Sequence, residues 1–129
     1  MILDSSALVA IIFREPEAER LLLAVDSASS LSVGAPTFTE AGIVIGSRLG
    51  FGSRDLAQLL THFEVNIVPF GHLHGEEALR AFEKFGKGRH KAGLNYGDCM
   101  TYAFAKLAQE RLLCVGHDFV HTDLPLVDY

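Results

Sequence analysis

Met1-Ile2-Leu3-Asp4-Ser5-Ser6, running straight into Ala7-Leu8-Val9-Ala10-Ile11-Ile12-Phe13, decides how the rest of the chain is read. An apolar pair stopped by Asp and two Ser is a buried strand ending in a helix cap, because these short polar side chains accept the free N–H groups of a starting helix. The helix predicted over Ala7 to Phe13 has no polar face. It must be covered on every side, by the core, by a second subunit or by a partner chain.

The same strand-then-acid pattern recurs at Leu112-Leu113-Cys114-Val115, which ends at Gly116-His117-Asp118. Between the two, strand and helix signals alternate. Pro16 suits a first helical position, and Leu21, Leu22 and Val25 make a stripe before Ser27 to Ser32 turn the chain. A short strand is predicted near Leu31 to Val33. Thr37-Phe38-Thr39-Glu40 has the spacing of a capping box and opens a helix to Leu49, ended by Gly50 and Gly52. Ser53 and Asp55 start another helix to Phe63, and Val65 to Val68 reads as a strand stopped by Pro69. His72 and His74 fall in a predicted loop, Glu76 to Phe85 is helical, and Gly86 to Gly93 is a basic, glycine-rich connection. Asn95 caps a helix whose apolar residues Met100, Ala103, Phe104, Leu107 and Ala108 share one face. Pro125-Leu126-Val127 supplies a possible last edge strand. Short apolar strands alternating with helices predict an α/β fold with a mainly parallel sheet covered on both faces.

A chain of 129 residues with 49% hydrophobic content fits one domain, 1–129. Eleven Lys and Arg against sixteen Asp and Glu give a net charge of −5, which excludes a general nucleic-acid binder with a basic surface. Two divalent ions held by some of the acids would add four positive charges and move −5 to −1, so that acidity and an anionic substrate can coexist. Cys99 and Cys114 have no Cys-x-x-Cys pairing, which argues against structural zinc and against a disulfide scaffold. Neither a signal peptide nor a membrane-length apolar run is present, and a cytoplasmic protein is expected.

Asp4 and Asp118 each follow an apolar strand at its C-terminal end, the edge at which parallel sheets build sites. Glu40 and Asp98 lie in predicted first turns of helices that approach the same edge. Four converging carboxylates repel: two unit charges about 5 Å apart cost roughly 3 kcal/mol at an effective dielectric near 20. Such a group needs protons or cations, and oxygen ligands without His or Cys select Mg²⁺, with Mn²⁺ as a substitute. The chemistry that fits is hydrolysis of a phosphodiester by activated water. Lys84, Lys87, Arg89, His90 and Lys91 form a basic run before Asp98, a candidate guide for the phosphate backbone.

At these residues the chain resembles the PIN-domain ribonucleases, in particular the VapC-type toxins of toxin–antitoxin pairs. The resemblance rests on Met1 to Leu8, on Ala35-Pro36-Thr37 to Glu40, on Gly93-Leu94-Asn95-Tyr96-Gly97-Asp98-Cys99, and on Gly116-His117-Asp118-Phe119 with Thr122-Asp123. It implies a three-layer α/β/α fold with four to five short strands, Mg²⁺-dependent cleavage of RNA, homodimerisation, and inhibition by a small antitoxin. It assigns the catalytic and metal-binding roles to Asp4, Glu40, Asp98 and Asp118. Many relatives carry Thr or Ser two residues before the fourth acid, where this chain has Gly116. A hydroxyl must then come from elsewhere, with Ser6 the nearest in sequence, and Asp123 offers an outer carboxylate. His117 and His121 read as solvent or turn residues.

Two other readings share the fold. A catalytically idle module that binds RNA or protein would gain little thermal stability from Mn²⁺, whereas a four-acid site gains it by mass action. A housekeeping RNA-processing nuclease would lack a neighbouring antitoxin gene. A phosphatase with Asp4 as nucleophile is disfavoured, because its usual second Asp is here Ser6.

Overall fold

The computed structural model describes residues 1–129. Four strands form one parallel sheet: β1 (Ile2–Leu3), β2 (Ser32–Gly34), β3 (Asn66–Val68) and β4 (Leu112–Leu113). Their order is β3-β2-β1-β4, with Ile2 opposite both Ser32 and Leu112. Pro125 to Val127 adds a single parallel bridge, Leu112 to Leu126, not a full strand. Six helices complete the chain: α1 (Ser5–Ile12), α2 (Ala18–Asp26), α3 (Ala35–Leu49), α4 (Asp55–His62), α5 (His72–Phe85) and α6 (Tyr96–Ala108).

The alternation of side chains along a strand divides these helices into two layers. Ile2 and Leu112 join the cluster formed with α5 and α6, while Leu3 and Leu113 join the one formed with α1, α2, α3 and α4. The sheet is thus the middle of three layers, and β1 and β4 are apolar throughout because both of their faces are covered.

The strand order positions the site. The chain winds from β1 through β2 to β3 in one direction and returns to lay β4 on the other side of β1. The order reverses between β1 and β4, and a parallel sheet has its crevice where that reversal meets the carboxyl ends of the strands. Asp4 and the segment after Leu113 leave the sheet there.

Several helices start away from the positions that local sequence signals predict. Helix α2 starts at Ala18 with Glu17 as its N-cap, so Pro16 sits in the turn before it. Helix α3 starts at Ala35, with Gly34 as N-cap and Pro36 in the first turn. Thr37 is therefore inside the helix and makes no capping box. Proline's fixed φ suits the opening turn, and it moves the start upstream of the hydroxyl. Helix α5 begins at His72, so both His72 and His74 are helical; the His74 ring accepts the N–H of Gly71 at 3.1 Å, a cap that propensity does not reveal. On α6 the buried side is Cys99 and Thr101 to Ala105, whereas Leu107 and Ala108 are exposed. That helix is enclosed by α5, α3 and β2, so its middle is covered nearly all round and a single stripe describes only part of it. Helix α1 is covered by the core itself: Ala7, Leu8, Ala10 and Ile11 are buried, and Val9, Ile12 and Phe13 pack against the same cluster. No helix is long and apolar enough to cross a membrane.

Candidate active site

Asp4 is the only buried acid, 6% exposed, and it sits between β1 and α1 because two demands meet there. Its N–H bonds to the Leu113 carbonyl at 2.9 Å and continues the β1–β4 ladder, while its carboxylate caps α1 by accepting the Ser6 N–H at 3.0 Å. The Ser6 hydroxyl donates to Asp4 Oδ2 at 2.5 Å and accepts the Val115 N–H at 2.9 Å. Ser6 thereby ties the end of β4 to the buried carboxylate and orients Asp4.

Asp98 stands in the first turn of α6. Its Oδ2 accepts the Asn95 N–H at 2.7 Å and its N–H bonds to Asn95 Oδ1 at 3.0 Å, a reciprocal capping box that fixes the carboxylate and leaves Oδ1 available. Its pKa is raised from 3.8 to about 6. Partial burial is the largest cause, opposed by the Asn95 N–H and reinforced by the charges of Asp118, Asp4 and Glu40. All three other acids thus act electrostatically on one carboxyl. The buried Cys114 thiol, pushed up to about 12 by burial and then by Asp4 and Asp118, senses two of the same acids from the sheet side.

Glu40 lies in the second turn of α3, where no capping bond explains it, and its carboxylate rests against Gly97 in the first turn of α6. Asp118 is exposed, on the irregular segment after β4. Gly116, two residues earlier, has φ +95°, a conformation that side-chain-bearing residues rarely adopt. Position 116 is therefore a glycine-shaped turn in this chain.

The donor set suits a hard cation, being four carboxylates with no His among them. As placed, no three His, Cys, Asp or Glu side chains are grouped tightly enough to hold a metal ion unaided. The two observations are compatible. Mg²⁺ retains several waters and needs only one or two direct carboxylates.

Asp123, expected as an outer carboxylate, is engaged elsewhere. It accepts the Tyr102 hydroxyl at 2.6 Å and bonds to Lys84 at 3.0 Å and Lys106 at 3.3 Å, contacts that hold it well below the usual carboxylate range. The segment that carries Asp118 is anchored by these contacts and by buried Phe119 and Leu124. The basic run is not one free row of cations either. Lys84 pairs with Asp123, and the half-buried His90 accepts the Ala92 N–H at 3.1 Å and meets the Phe85 ring edge-on. Lys87, Arg89 and Lys91 remain exposed, as do His117 and His121. Composition could not have shown the pairing of Lys84 with Asp123, since 39 residues separate them.

A model of the PIN domain matches residues 1–124. Among curated proteins, ribonuclease VapC30 of Mycobacterium tuberculosis is 41% identical over 128 residues, 98% of each chain. Ribonuclease VapC of Mycolicibacterium smegmatis is 42% identical over 128 residues, 98% of this chain and 99% of that one. Among solved structures, Mycobacterium tuberculosis VapC20, described as a sarcin-ricin loop cleaving toxin, matches with a TM-score of 0.78 at 13% identity, covering 98% of this chain and 97% of that one. A toxin–antitoxin complex from Klebsiella pneumoniae matches with a TM-score of 0.74 at 16% identity, covering 99% and 97%. At those identities the two structures bear on the fold alone.

Proposed function

The chain belongs to the PIN-domain family, among the VapC ribonucleases, and from that premise we propose that Asp4, Glu40, Asp98 and Asp118 form the centre at which it cuts RNA. It is a VapC-type endoribonuclease toxin, an RNA-cleaving hydrolase. The observation that carries the site is the seating of the Glu40 carboxylate against Gly97, next to Asp98, whose own carboxylate is fixed by the Asn95 N–H; the charges of Asp118, Asp4 and Glu40 all act to raise the Asp98 pKa.

The proposed cofactor is Mg²⁺, replaceable by Mn²⁺, held by one or two of these carboxylates with water completing the shell. When bound, such an ion supplies a water of lowered pKa and neutralises charge on the phosphate. The chain's own groups do the rest. Ser6 fixes Asp4 deep in the crevice, the Asn95 N–H fixes the plane of Asp98, and Asp118 stands at the exposed rim where a substrate arrives. Lys87, Arg89 and Lys91 draw the RNA backbone toward an otherwise acidic molecule.

One domain over 1–129, acting in the cytoplasm and silenced by a small antitoxin, completes the reading. We also place a homodimer contact on α3, α5 and α6, where Ile43 (56% exposed), Leu79 (74%) and Tyr96 (79%) leave apolar surface uncovered. Of the covers expected for α1, the core supplies one, which leaves this other face for association.

Purified protein should cut a structured RNA with Mg²⁺ or Mn²⁺, lose that activity to a chelator, and lose it again in Asp4→Asn and Asp98→Asn. Undiminished cutting by both variants would refute the assignment. An idle binding module would show no metal-dependent cutting at all.

A further inference from the structure

Helices α3 and α6 run antiparallel, and their contacts step in register, one turn at a time. A Cβ on Gly34 would lie 2.9 Å from the Phe104 ring. One turn along, the Thr37 and Thr101 hydroxyls are 2.8 Å apart, the two residues 2% and 1% exposed. One turn further, a Cβ on Gly97 would lie 2.7 Å from Glu40 Oε1 and 3.1 Å from its Cδ. Successive contacts advance by three residues on α3 and retreat by three or four on α6, the spacing of residues stacked on one helical face. The last rung carries Glu40, with Asp98 beside Gly97.

Two rungs use residues that a simple core would not choose. A buried hydroxyl is costly unless it finds a partner, and an apolar pair would fill the same space without that demand. The Thr pair satisfies itself, and no buried side-chain nitrogen or oxygen in the chain lacks a partner. Such a bond is directional, so it fixes the slide of α3 against α6 at one level, which apolar packing alone would not. Gly97 in the first turn of a helix gives up propensity, and in exchange it opens the space that the Glu40 carboxylate occupies.

Given the reading that Glu40 and Asp98 serve one site, we propose that Thr37, Thr101 and Gly97 are positioning residues that hold the Glu40 carboxylate over the first turn of α6 beside Asp98. The atom a new Cβ at 97 meets is the far end of a flexible side chain, so Gly97→Ala displaces Glu40 and leaves the backbone in place.

The test measures RNA cleavage as a function of RNA and Mn²⁺ concentration, together with thermal melting, for Gly97→Ala, Thr101→Val and Thr101→Ser. Gly97→Ala is expected to melt no lower than the wild type, since alanine favours a helix, and yet to lose about ten- to a hundredfold in kcat, the scale of a small displacement of a reacting group. Its KM for RNA should change little and its half-maximal Mn²⁺ concentration should rise. Thr101→Val should repeat the kinetic defect, and Thr101→Ser, which keeps the hydroxyl, should restore wild-type values. The Thr101 pair carries the test where Gly97→Ala does not fold. Wild-type kcat and Mn²⁺ dependence in Gly97→Ala or Thr101→Val, with Glu40→Gln and Asp98→Asn inactive, would overturn the positioning role and leave the site standing. Full activity in Glu40→Gln and Asp98→Asn would remove the site and the positioning role together.

Discussion

Ser6 shows how one side chain in this crevice orients another. Its hydroxyl spans Asp4 Oδ2 and the Val115 N–H, so Ser6→Ala should leave the protein folded while Mn²⁺ affinity falls about tenfold or more, as for partners that orient a metal ligand. Titration calorimetry would show it, and unchanged affinity would reduce Ser6 to a tie between α1 and the end of β4. Asp123 makes the contrasting prediction. Its carboxyl is held below its ordinary 3.8, first by the Tyr102 hydroxyl and then by Lys84 and Lys106. The unfolded chain takes up that proton more readily, so this contribution is present above about pH 4 and fades as pH falls through the lowered folded value. Asp123→Asn should therefore melt below the wild type at pH 7, with the gap narrowing near pH 2. A gap that widens with acid would reverse the sign and the explanation. The sequence shows both residues as polar groups near acids. It does not show their roles, because those depend on partners far along the chain, Val115 in one case and Lys84 and Tyr102 in the other.

At the scale of elements, local chemistry was legible where it was self-contained. Asn95 caps α6 as expected, with Asp98 in its first turn, and Asp4 caps α1. The reading failed where tertiary context chose between neighbouring signals. Thr37 and Glu40 have capping-box spacing, but Pro36 and Gly34 start α3 earlier, and the Thr37 hydroxyl turns inward to Thr101. Glu40 is consequently free of a structural task in its own helix. Asn95→Ala should cost about 1 kcal/mol of stability with cleavage retained, because the Asn95 N–H that holds Asp98 is a backbone group. Glu40→Gln should do the reverse, shifting stability by less than about 0.5 kcal/mol and abolishing cleavage. Denaturant melts and a cleavage assay on the two variants separate the roles, and a large loss of stability in Glu40→Gln would restore the capping account.

For the whole molecule, the alternation of short apolar strands with helices was enough to specify a parallel three-layer fold. The strand order, which creates the crevice, came only from the structure, since no residue pattern states on which side of β1 the last strand pairs. The core absorbs α1, and the uncovered apolar surface lies at Ile43 on α3, in the same layer, and at Leu79 and Tyr96 on α5 and α6 across the sheet. Light scattering should find a dimer at micromolar concentration and a monomer for Leu79→Glu, whereas a monomeric wild type would refute the contact. On the proposed reading, folding gathers four distant acids around one cation, one or two as direct ligands and the others through its waters. A Mn²⁺ titration at neutral pH followed by electron paramagnetic resonance, on the wild type and on Asp4→Asn, Glu40→Gln, Asp98→Asn and Asp118→Asn, tests it directly. The account expects saturable binding by the wild type, weakened in every variant. Equal binding by all five proteins would contradict it.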